Sequence, residues 1–203
     1  MSKVTLRTTV SGSGAITISL AGKDQGAFSA GILSTTGGVN ITQAQAASGN
    51  LTLSGVSASG SITIGLGTGT GSGQVAASSI VTTGGGFSLT GDQYSDVTLN
   101  NVTASASITV NMAGSGSITA SSLNTAGALS ITKALGSGET AVLQEISGAA
   151  VSITLGAGSG HLSATTIDSA AFTFDASAST ESGNEDLAAR ISTCSSSLKS
   201  FLK

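Results

Sequence analysis

Side chains able to do chemistry are scarce in this chain. It has one histidine, His161, and one cysteine, Cys194. A nucleophilic thiol would need an imidazole brought to it from a distant element to take its proton. Cys194 lies instead on an apolar stripe near the C-terminus, which reads as a buried or interfacial thiol. His161 follows Gly160 at the start of a strand-like phrase and reads as a turn residue. Four-ligand zinc sites need clustered Cys and His, and the sequence has no such cluster. Asp92 and Asp96 flank Tyr94, so they could share at most one weakly held cation, and solvated turn carboxylates are the simpler reading. Gly65–Gly73 has the glycine density of a dinucleotide-binding loop but no strand–loop–helix frame around it. The sequence therefore predicts no catalytic residue, no cofactor and no metal. A single cysteine also rules out an internal disulfide and leaves only an intermolecular one.

Charge narrows the partners. The chain carries seven Lys and Arg against ten Asp and Glu, for a net charge of −3. Without a basic stripe or interleaved aromatics, nucleic acid is not an expected partner. No run approaches 18 apolar residues, so no membrane span is expected. Between residues 8 and 175 only nine side chains are charged: Lys23, Asp24, Asp92, Asp96, Lys133, Glu139, Glu145, Asp168 and Asp175. Ser, Thr, Ala, Gly and Asn make up most of the remaining surface. Such a surface has little charge repulsion to hold copies apart.

The elements that carry these residues repeat. "AITISL" at Ala15–Leu20 returns as "SITIGL" at Ser61–Leu66, "SITVNM" at Ser107–Met112 and "VSITL" at Val151–Leu155, with starts 46, 46 and 44 residues apart. A fixed period of this kind marks a solenoid or array. Within Ser61–Ile64, isoleucines alternate with hydroxyls, which is the period of a strand with one buried face. The runs are short and β-branched, and glycine-rich breaks separate them. Proline is absent, so nothing interrupts a ladder of backbone hydrogen bonds. We expect an all-β fold, a parallel β-solenoid (β-helix) of about sixteen short strands. Two strands per coil would take about 22 residues and give roughly eight coils at ~4.8 Å spacing. Four strands per coil would give a wider, shorter object. An intertwined trimeric β-helix is the alternative. Small residues such as Ala30, Ala77 and Ala120 fit a narrow interior.

The domain expectation is a repeat body over residues 1–178 and a tail over 179–203. In the tail, Leu187, Ile191, Cys194 and Leu198 recur at helical spacing, followed by Phe201 and Leu202. Ser182 or Asn184 can cap the start of an amphipathic helix, with Glu185 and Asp186 in its first turn and Lys199 and Lys203 in its last. These six apolar residues are the candidate assembly contacts. The tail reads as a lid over the open end of the solenoid, as a docking and oligomerisation helix, or as a disordered segment.

The texture of "SITIGL…AASSIVTTGG…FSLT…VTLNNVTASASITV" resembles the Ser/Thr/Gly/Ala-rich repeats of bacterial haemagglutinin-like adhesins. It is also similar to β-helical fibre and decoration proteins of tailed phages. That resemblance implies a β-solenoid used in many copies. The expectation is a non-enzymatic structural subunit: a virion decoration or fibre protein, or a filament subunit. Its partners would be itself or a larger particle. An adhesin-type module binding host or glycan is the alternative, disfavoured because only Tyr94 and five phenylalanines could line a sugar site. A remoter one is ice binding, which would need outward Thr-x-Thr on every coil. Met1-Ser2-Lys3-Val4 leads straight into a strand phrase without a secretory signal. Synthesis in the cytoplasm is therefore expected, followed by entry into a virion or an exported assembly.

Overall fold

The computed structural model describes residues 2–6, 9–20, 25–43, 49–67, 73–92, 96–135, 138–156, 161–175 and 188–189. Among these residues, sixteen strands form one sheet that winds on itself. The first coil is β1 (Ser2–Leu6), β2 (Val10–Gly12) and β3 (Ile16–Leu20). Then come β4 (Gln25–Thr35), β5 (Val39–Gln43), β6 (Leu51–Ala58), β7 (Ile62–Leu66), β8 (Val75–Thr82) and β9 (Phe87–Gly91). The later coils are β10 (Val97–Ala104), β11 (Ile108–Met112), β12 (Ile118–Thr125), β13 (Ala128–Lys133), β14 (Thr140–Leu155) and β15 (His161–Asp175), with β16 (Ala188–Ala189) beside β15. Every pairing is parallel. The fold is a parallel β-solenoid of about seven turns.

Register fixes the coil length. Leu51 pairs with Val75, Val75 with Val97 and Val97 with Ile118, so successive coils advance by 24, 22 and 21 residues. The 46-residue beat of the sequence is therefore two coils, and the wider coil of four strands does not occur.

Each coil has three faces. In β6 the buried residues are Leu51, Leu53, Val56 and Ala58, so the period-2 alternation slips once between 53 and 56. That slip marks a corner, because two successive outward residues let the next inward one point into the same interior. At this corner Ser79 and Asn101 take left-handed backbone angles, with φ of 56° each. Asparagine adopts this conformation more readily than most residues, and a β-branched residue at either position would be a genuine outlier. We refer to residues equivalent to Leu51–Leu53 as face A, to Val56–Ala58 as face B and to Ile62–Leu66 as face C. β14 and β15 run through all three faces in a single strand.

Stacked inward positions form columns, and two of these explain the double-coil beat. One face A column reads Leu6, Ala30, Leu53, Ala77, Leu99, Ala120, Leu143 and Ala164. The column ending face B includes Gly12, Thr35, Ala58, Thr82, Ala104 and Thr125, with Gly148 and Ser169 paired further on. Coils with the small alanine on face A thus carry a hydroxyl at the end of face B. Coils with leucine there carry alanine or glycine. Alternating large and small side chains along a column lets successive layers fill a slim interior at native density.

The buried hydroxyls have a second task at the B–C corner. Thr35, Thr82 and Thr125 accept hydrogen bonds through Oγ1 from the amides of Gly37, Gly85 and Gly127 at 3.0, 3.0 and 3.2 Å. Ser169 does the same for the Ala171 amide at 3.2 Å. Glycine is needed here for close approach between coils. A Cβ on Gly127 would lie 1.7 Å from the Ala106 carbonyl oxygen. Among the described residues, no helix is long and apolar enough to cross a membrane.

The tail expectation mostly lies outside the described residues. Only Ala188 and Ala189 are described there, paired with Ser163 and Ala164 of β15. Leu187, Ile191, Cys194, Leu198, Phe201 and Leu202 all lie outside them, as does the trailing helix they were expected to form.

Candidate interaction surface

Polar side chains congregate at the C–A corner, immediately before face A. Asn50 Oδ1 accepts the Gln74 amide from the next coil at 3.1 Å. Asp96 Oδ1 accepts the Ser117 amide at 3.0 Å, and Ser117 Oγ accepts the Thr140 amide at 3.1 Å. Gln74 Nε2 donates to Asp96 Oδ2 at 3.2 Å. Asn50, Asp96 and Ser117 each satisfy a backbone donor one coil up, where the ladder would otherwise lose a bond, and Gln74 braces the Asp96 carboxylate. Asp96 is committed to this work, and Tyr94 lies outside the described residues. Among the described residues no group of three His, Cys, Asp or Glu could hold a metal ion.

The same corner receives a lysine from the interior. Lys133 lies in the inward face C column between Met112 and Leu155 and has no exposed surface. Its Nζ donates to the Gly114 carbonyl. Burial lowers its pKa to about 8, and the negative charges of Glu139 and Asp96 work against that fall. Removing the ammonium from water costs more than these neighbours return. An aliphatic stem in the core with its head on a corner carbonyl makes Lys133 a brace between coils. In the sequence it is one of nine scattered charges. Its place in the register, opposite Met112, is what identifies it as inward.

Face C offers the widest regular surface, with two outward positions per rung against one each on faces A and B. Its first outward column is Thr17, Asn40, Thr63, Ser88, Thr109, Ser130, Ser152 and Thr173. The second is Ser19, Thr42, Gly65, Thr90, Asn111, Thr132, Thr154 and Asp175. No charged side chain occurs in either column before Asp175. No coil carries threonine at both positions, so the array lacks the Thr-x-Thr regularity that ice binding would need. Apart from Asp175 and the inward Lys133, the body's described charges lie elsewhere: Asp92, Asp96 and Glu139 at the C–A corner, Glu145 at the A–B corner and Asp168 at the end of the face B column. The outward columns of faces A and B are otherwise uncharged as well, so it is width that sets face C apart.

A shallow cleft lies along the B–C edge of this face, midway up the stack. Gly84, Gly85 and Gly86 floor it, with Ser61 and Thr63 on one side and Ser107 and Thr109 on the other. It arises where the B–C corner is longest among the described coils: Thr83–Gly86 spans four residues, against three at Ser59–Ser61 and two at Ala149–Ala150. The glycines add no side chain to fill the gap.

His161 opens β15 as expected and pairs with Thr140, whereas Cys194 lies outside the described residues. The structure therefore does not bring the two reactive residue types together in any described site. No protein family, curated protein or solved structure matches this chain.

Proposed function

We propose that the chain is a non-enzymatic structural subunit of a multi-copy assembly, as a phage virion decoration or fibre protein or a filament subunit. One observation carries this reading: seven successive rungs of face C expose Ser, Thr, Asn and Gly without a single charge. Interface cores are depleted of Lys, Glu and Asp relative to ordinary surface, and also of Ser, so contacts through this face would be hydroxyl-mediated rather than apolar. An isolated soluble protein gains solubility from interspersed charge, which this face forgoes. The regular strand spacing suits a lattice, since every rung repeats the one below. Electron microscopy of the purified protein tests the proposal. Regular polymers, or decoration of a particle, are the expected result. A persistent monomer retained on immobilised glycans would overturn it in favour of a surface adhesin module.

A further inference from the structure

We infer that face C is a self-complementary interface, and that its occupant is face C of a second copy of this chain. This rests on the assembly reading above and names the surface that makes the contact.

Three observations point to a second copy. The first is hydrogen-bonding character: hydroxyl and amide side chains each donate and accept, so such a face can pair with itself. A charged face meeting its own copy would set like charges together. The second is periodicity. Two copies share one rung spacing, so an alignment that matches one rung matches all of them. The third is size. Eight rungs at ~4.8 Å and five residues at ~3.3 Å give a face of about 600 Å². Two copies would then bury about 1,200 Å², the lower bound for a specific interface. Ordering costs are low as well. Ser88, Thr90, Thr109, Ser130 and Thr132 are already half-buried between their stacked neighbours. Short hydroxyl side chains lose little rotamer freedom on contact.

In a two-fold contact the central rungs of one copy, at Ser88 and Thr109, meet the central rungs of the other. The cleft over Gly84–Gly86 borders these central rungs at the B–C edge, open to small side chains from the partner.

The experiment compares full-length wild type, the double variant Ser88→Arg/Thr109→Arg and the control Thr103→Arg. Thr103 is exposed on face B. Self-association is measured by light scattering and sedimentation over a wide concentration range, with circular dichroism to check the fold. Opposed arginines should weaken self-association by at least about a hundredfold, and the control should leave it unchanged. If either arginine variant misfolds, Ser88→Cys and Thr109→Cys in Cys194→Ser protein give a second readout. Disulfide-linked dimers on oxidation support the interface, and their absence overturns it. Assembly that persists in the folded face C variant overturns this inference and leaves the structural-subunit reading standing. A wild type that stays monomeric and undecorated overturns both.

Discussion

The alternating column on face A yields a quantitative prediction. Leu99 is fully buried and pairs with Ala120 on the next coil. Leu99→Ala should cost about 3–5 kcal/mol, because it loses transfer energy and leaves a cavity that stacked coils cannot collapse around. Ala120→Leu should cost about 1–3 kcal/mol by overpacking a layer that already faces Leu143. In the double variant the new leucine borders the vacated space, so the combined cost should fall short of the sum by about 1–3 kcal/mol. The control pairs Leu53→Ala with Ala120→Leu. Leu53 is three rungs below Ala120, roughly 14 Å away at strand spacing, so those two changes should add within about 0.5 kcal/mol. Urea unfolding followed by far-ultraviolet circular dichroism measures all of these, since the chain has no tryptophan. Equal coupling in the two cycles, or none in either, would refute the stacked-column reasoning.

Other outcomes follow from the corners and the buried lysine. Gly127→Ala should destabilise by more than about 3 kcal/mol, because its Cβ collides with a backbone carbonyl of the coil below. Gly14→Ala meets nothing within 4 Å and should be neutral or mildly stabilising by thermal denaturation. Thr82→Val removes the acceptor of the Gly85 amide and should cost about 1–3 kcal/mol in urea, whereas Thr82→Ser should recover most of the loss. The folded pKa of Lys133 is lowered from 10.5 to about 8, so between these values the unfolded chain binds more protons. Stability should therefore rise from pH 8 to pH 10.5 by at most about 3 kcal/mol and be level with respect to this group below that window. Lys133→Met, which matches its neighbour Met112, should abolish that rise in urea titrations across the same pH range.

The repeat was legible because period 2 is written in single residues. Ile62 and Ile64 alternate with Ser61 and Thr63, and the structure buries the isoleucines. The phrase spacing revealed the beat, but only register shows that it spans two coils. The alternation of Ala30 with Leu53 on one column needs the 23-residue offset between them. The three-faced coil was hidden for a different reason. Sequence phrases such as "LTLSGV" run across the A–B corner, where two outward residues in succession look like a lapse in pattern. Backbone angles at Ser79 and Asn101 turn that lapse into a bend. Lys133 was illegible as a core residue because composition counts it as surface charge, and only its stacked neighbours place it inside. Face C was half-seen: its Ser and Thr positions were read as outward, but their assembly into two uncharged columns depends on every coil keeping register.

Parallel stacking can be tested most directly by distances between outward positions of face B. Ser34, Ser57, Val81, Thr103, Asn124, Ser147 and Asp168 are successive rungs of one column. Spin labels at Ser34 paired with Thr103, Ser147 or Asp168, in Cys194→Ser protein, should report separations of about 14, 24 and 29 Å, growing by ~4.8 Å per rung. Separations that fail to grow in proportion to rung number would contradict the solenoid and everything built on it.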